Sequence, residues 1–105
     1  MVTEFADILV KPGMEQDFIA GAEKSKPLFL AAKGCHGMSV QRLVEEPTRF
    51  VLLVQWESVA AHEAFRATAA FTQWRANVSA CFEKPPQVWH GAVSYTHLRA
   101  HETVL

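Results

Sequence analysis

An α+β fold in the order β-α-β-β-α-β, with four antiparallel strands and the helices on one face, is predicted by three observations on this 105-residue chain. Segments with helical spacing follow the first and third segments of strand character. The second and third strand-like segments are separated by a short turn with no room for a crossover, which makes them a hairpin. Residues 50–54, Phe-Val-Leu-Leu-Val, are apolar on both faces of any strand they form, so one face calls for helices and the other for different cover.

Residues 2–10, Val-Thr-Glu-Phe-Ala-Asp-Ile-Leu-Val, read as the first strand, ended by Lys11-Pro12-Gly13, where Pro fixes φ and Gly is free to make it positive. In the helix that follows, Met14, Phe18, Gly21, Ala22 and Ser25 fall at helical spacing and Leu28 and Phe29 continue the stripe. Glu15, Asp17, Glu23, Lys24 and Lys26 take the polar side. Pro27 has no N–H to donate and is expected to kink or stop this helix near its last turn, with Gly34 closing the segment. Residues 36–45 form the second strand, and Glu46-Pro47-Thr48 turns the chain into the third, residues 49–56. Ser58 caps a second helix covered on one side by Val59, Ala61, Phe65 and Ala69, and a further helical piece over residues 70–81 carries Phe71, Trp74, Val78 and Cys81. Pro85-Pro86 imposes an extended entry to the last strand, residues 87–93. This is the order of the split βαβ, or ferredoxin-like, arrangement. Its second sheet face is open, and the doubly apolar third strand predicts a homodimer packed sheet against sheet, whereas Ser39, Gln41 and Gln55 would suit a monomer.

Composition bounds the function. Half the chain is hydrophobic, a fifth is charged, and 10 Lys+Arg stand against 11 Asp+Glu without a basic stripe, which argues against nucleic acid or an anionic membrane as partner. No apolar run reaches transmembrane length, and Met1-Val2-Thr3-Glu4 lacks the features of a signal peptide, so a cytoplasmic setting is expected. Cys35 and Cys81 read as two buried thiols rather than a disulfide framework. Residues 94–105, Ser-Tyr-Thr-His-Leu-Arg-Ala-His-Glu-Thr-Val-Leu, resemble translated adapter read-through, which leaves residues 1–93 as the domain. The spacing of His97 and His101 is accordingly not read as a metal pair, and His36, His62 and His90 lack metal-ligand spacing, so no metal is expected.

Two further residues stand out. Asp7 interrupts the apolar run from Phe5 to Val10 and is costly to bury alone. Pairing with Arg42 or Arg49 across strands is the favoured reading, with a solvent-facing position and acceptance of a substrate proton as the alternatives. His36 opens the second strand beside Cys35, and adjacent strand residues point to opposite faces, which disfavours a nucleophilic pair and favours a strand-edge histidine held by backbone.

Gly34-Cys35-His36-Gly37-Met38, Arg49-Phe50 and Val54-Gln55-Trp56-Glu57-Ser58, with His62 four residues on, resemble the antibiotic biosynthesis monooxygenase superfamily, in particular its small quinol-monooxygenase-like members, over residues 3–93. The resemblance implies a dimeric α+β barrel and oxygenation without metal, flavin or other cofactor. A flat, electron-rich hydroxyarene or quinol would bind between helices and sheet, lose a phenolic proton, and itself reduce O2. His62 stands where many members carry a histidine, and its ordinary pKa of about 6.5 suits proton exchange near neutrality. Trp56, Phe65, Phe71 and Trp74 are the candidate walls of the substrate slot, with a core role the favoured reading for Phe65 and Phe71. In heme-degrading relatives a histidine lies on the last helical segment, and residues 71–77 contain none, which argues against heme. The alternative is a non-catalytic dimeric barrel that binds a small hydrophobic ligand or serves a stress response.

Overall fold

The computed structural model describes residues 1–95, and the pair His97 and His101 lies outside the described residues. The chain runs β1 (Val2–Leu9), α1 (Glu15–Leu30), β2 (Cys35–Arg42), β3 (Arg49–Trp56), α2 (Val59–Arg66), α3 (Ala69–Val78), a short 3-10 turn (Ser79–Cys81) and β4 (Gln87–Gly91). The four strands form one antiparallel sheet in the order β2-β3-β1-β4, the ferredoxin-like topology.

Register decides which side chains meet the helices. Val2 pairs with Trp56, Glu4 with Val54, Ala6 with Leu52 and Ile8 with Phe50, so even-numbered residues of both central strands share one face. Phe50, Leu52, Val54 and Trp56 on that face are fully buried beneath Phe18, Phe29 and Phe65 of the helices. Phe18 packs on Phe50 at 4.8 Å between ring centroids, and Phe29 touches both Phe65 and Trp74 at about 5 Å. The opposite face carries Thr3, Phe5 and Asp7 of β1, Val51, Leu53 and Gln55 of β3, and Trp89 of β4. Among the described residues no helix covers it, and Phe5 and Trp89 are 38% and 53% exposed.

Several local expectations change. The second strand is shorter than residues 36–45: a register irregularity between Cys35 and Gly37 bends its start, and it ends at Arg42, whose Nε donates to the Pro47 carbonyl across the turn. The last strand ends at Gly91 rather than at residue 93. Pro27 lies inside α1, which continues for one further turn as the Ala31 N–H donates to the Pro27 carbonyl. Gly13 and Gly34 have positive φ, and a Cβ on Gly34 would stand 2.8 Å from that of Ala61.

The helical stretch after β3 breaks at Ala67-Thr68. Thr68 has extended backbone; its hydroxyl donates to the Phe65 carbonyl of α2 and accepts from the Phe71 N–H of α3, tying both helix ends to one side chain. In consequence Val59 and Ala69 are exposed, and His62 and Phe65 are the residues α2 buries. Ser58 caps α2 as expected, accepting from the Ala61 N–H.

Helix α3 lies against α1 at Gly21, where an added Cβ would sit 2.5 Å from the Asn77 carbonyl oxygen and 3.0 Å from Val78 Cγ1. Beside it Asn77 Nδ2 donates to the buried Ser25 hydroxyl, which donates to the Gly21 carbonyl. Because backbone opposes backbone here, Gly21→Ala forces the helices apart and is expected to cost about 1–3 kcal/mol. Urea unfolding measures it, and an unchanged midpoint would show that α1 and α3 are not held this closely.

Candidate active site

A cavity of about 620 Å³ opens between the helix side of the sheet, α3 and the segment entering β4. Glu4, Ala6 and Ile8 of β1 and Leu52 of β3 form its floor, Phe71 and Trp74 form an aromatic wall, and Pro85, Pro86 and Val88 close the far side. Phe71, Trp74 and Arg75 occur at helical spacing on one face of α3, and Arg66 reaches the cavity from the end of α2.

Glu4 is the unexpected member. It is 4% exposed, on an otherwise apolar face, because even parity in β1 points inward. Its Oε1 accepts from the Trp56 indole Nε1 at 3.0 Å and lies 3.2 Å from His62 Nε2. Burial raises the Glu4 carboxyl above the ordinary range, opposed by the Trp56 hydrogen bond and by the charge of Arg66.

His62, also 4% exposed, stacks on Trp56 with ring planes 13° apart. Its Nδ1 is 2.7 Å from His90 Nε2. A Glu4 carboxylate can only accept, so His62 Nε2 donates to it and Nδ1 accepts from the His90 N–H. Burial, then the neighbouring His90, then Arg66 lower the His62 pKa to about 4, which leaves the ring neutral at pH 7. The contact with Glu4 is therefore a hydrogen bond from a neutral ring. His62 spends one nitrogen on each neighbour, so Glu4, His62 and His90 do not converge on one point; among the described residues no group of His, Cys, Asp and Glu side chains is placed to hold a metal ion.

The structure sorts the residues expected from sequence. Phe71 and Trp74 line the cavity. His62 borders it with both ring nitrogens occupied. Trp56 and Phe65 are buried behind the wall, their ring centroids 5.3 Å apart, and are not among the residues that line the cavity. Asp7 is on the open sheet face, where Arg49 Nη1 donates to both carboxylate oxygens at 2.6–2.7 Å. His36 is half-exposed at the sheet edge, its Nε2 3.8 Å from Glu57 Oε1, and takes no part in the cavity. Arg75 reaches the cavity, whereas Asn77 is turned to Ser25.

A family model described as antibiotic biosynthesis monooxygenase matches residues 1–77. The chain belongs to the antibiotic biosynthesis monooxygenase family. A crystal structure from Bordetella bronchiseptica, assigned to the antibiotic biosynthesis monooxygenases, is 46% identical with a TM-score of 0.87, covering 90% of this chain and 97% of that one. The uncharacterized Bacillus subtilis protein YczJ is 32% identical over 91 residues, 86% of this chain and 96% of its own. SnoaB, a cofactor-independent oxygenase from Streptomyces nogalater, has the same fold, with a TM-score of 0.78 at 16% identity over 90% of this chain and 94% of its own.

In this monooxygenase-family chain, sequence reasoning missed Glu4 and His90. The signal for Glu4 was present: Val2, Ala6 and Ile8 share its parity, so a carboxylate at residue 4 interrupts an apolar face. Asp7 interrupts the other face, which faces away from the helices. His90 enters only because β4 pairs with β1, setting His90 opposite Glu4, a juxtaposition local spacing does not reveal.

Proposed function

We propose that this chain is a cofactor-independent monooxygenase that oxidises an electron-rich hydroxyarene or quinol with O2, and that Glu4 accepts the phenolic proton. The observation that carries this reading is a desolvated carboxylate on the floor of an aromatic-walled cavity, held by Trp56 and His62. A raised proton affinity makes Glu4 a better base than an ordinary carboxylate. The flat ring lies against Phe71 and Trp74. Glu4 takes the proton from the hydroxyl, and the anion transfers one electron to O2. Recombination forms a C–O bond to a ring carbon that bears hydrogen, opposite the oxygen in the enol of anthrone and beside it in a para-quinol such as menadiol. Loss of the hydrogen on that carbon and of water, to which Glu4 returns its proton, breaks the O–O bond and leaves the quinone. One O2 is consumed, one oxygen atom enters the product and the other leaves as water.

Oxygen uptake with anthrone and menadiol tests the proposal. If no member of such a panel is oxidised above its uncatalysed rate, the cavity is a binding site and the chain is a ligand-binding barrel.

His62 handles the proton through Glu4 and is a positioning residue, since neither of its nitrogens is free. Its donated hydrogen bond favours the carboxylate form. Activity needs that form, so it falls as pH drops through the raised Glu4 pKa. His62→Phe keeps the site dry and removes the donor, and is expected to move the acid limb of kcat/KM to higher pH. An unmoved limb with reduced kcat would mean that His62 is merely structural.

We further propose a homodimer through the open sheet face in a cytoplasmic setting. Phe5, Leu53 and Trp89 make that face apolar, and the Asp7–Arg49 pair neutralises its charges. Sedimentation is expected to give a dimer at micromolar concentration, and a Trp89→Glu variant is expected to sediment as a monomer. A monomeric wild type would remove this use of the face.

A further inference from the structure

Of the four arginines among the described residues, two are committed to neighbours. Arg42 donates to the Pro47 carbonyl and lies over the Phe50 ring, and Arg49 binds Asp7 and Glu46. Arg66 and Arg75 make no ion pair and no side-chain hydrogen bond among the described residues, and these are the two that line the cavity. Arg66 lies 6.0 Å from the centroid of the Phe71 ring, which leaves the edge of its planar fork available. Glu83 and Lys84 at the same rim offset each other in charge, so two guanidinium groups without an ion-pair partner among the described residues remain beside an aromatic wall, Arg66 near enough for its charge to act on Glu4. Glu4 on the floor makes no ion pair with either of them.

We infer that Arg66 and Arg75 form an anion subsite, and that the substrate is an aromatic acid whose carboxylate they hold while its hydroxyl meets Glu4. The hydroxyl end of this inference rests on the monooxygenase reading; the carboxylate end rests on the two arginines alone. A guanidinium presents two parallel N–H donors to a carboxylate, a match that a neutral amide of the same shape lacks. The wall orders the substrate end to end: acid at the rim, rings on Phe71 and Trp74, reacting hydroxyl at the floor. This placement would favour an acid over neutral hydroxyarenes and quinols, which lack the contact at the rim.

Isothermal titration with 6-hydroxy-2-naphthoate, whose acid and hydroxyl lie at opposite ends of the rings, and with its neutral amide tests the subsite without any oxygen chemistry. The acid is expected to bind the wild-type chain about tenfold more tightly, a difference typical of one charge-assisted contact at a partly solvated site. R66Q and R75Q are each expected to lose most of that preference, with unchanged thermal unfolding because both side chains are exposed. Equal binding of the two compounds, no binding of either at millimolar concentration, or a preference that survives both substitutions overturns the inference. Oxygen uptake is read separately: a retained preference for the acid without uptake supports the subsite and removes the monooxygenase reading instead.

Discussion

Glu4→Gln is expected to lower kcat/KM for oxygen consumption by about 10²–10⁴-fold, the usual worth of a positioned general base. Glutamine keeps the shape of the side chain and an oxygen that can accept from Trp56 and His62, so the fold and the cavity persist while the proton acceptor is lost. Unfolding by urea should therefore show no loss, since the substitution removes a carboxylate whose burial is unfavourable. A Glu4→Gln enzyme that retains wild-type kcat/KM would remove Glu4 from the chemistry and return the question to the other polar groups of the cavity. Substituting Asp7 provides the contrast. It lies on the open face with Arg49, and Asp7→Asn should leave oxygen uptake per folded molecule unchanged.

Trp56→Ala is expected to cost about 3–5 kcal/mol, the range for deleting a large aromatic from a packed core. Trp56 is fully buried at the end of β3, packs on Phe65, stacks on His62 and supplies a hydrogen bond to Glu4. Domains of this size hold a total stability of about 5–15 kcal/mol, so the variant would lose roughly a fifth or more of it. Trp56→Phe restores most of the packing but leaves Glu4 short of one donor. It is expected to unfold nearly as late as the wild type while moving the acid limb of the rate profile to higher pH. If Trp56→Ala unfolds within 1 kcal/mol of the wild type, the ring is not the core anchor that its burial indicates.

Much of the architecture was legible because the strands and turns carry strong local signals. The third strand falls on residues 49–56 as expected, since a run of β-branched and aromatic side chains is bounded by a Pro turn on one side and a helix-capping serine on the other. Gly21 and Phe18 lay on the predicted stripe of α1, and both are buried. The break at Thr68 was less visible, because Ala67 and Ala69 suit either a continuous helix or two short ones; the hydroxyl's two bonds to neighbouring turns settle it. The site was harder to read than the fold. Both parities of β1 mix apolar residues with one carboxylate, and only the pairing of Val2 with Trp56 determines which carboxylate turns inward. Histidines far apart in sequence met through β4, and of the four aromatics Phe71 and Trp74 line the cavity while Trp56 and Phe65 lie behind it.

The corner at Thr68 has a consequence for how such a cavity can diversify. Glu4, the proposed proton acceptor, is mounted on a central strand hydrogen-bonded on both sides. The residues that give the cavity its outline are mounted on α3, whose direction depends on one hydroxyl bridging two helix ends. Reaction and fit are thus carried by separate mechanical parts. A change of angle at the corner, or of the residues at positions 71, 74 and 75, would admit a ligand of another width while the base remained in place.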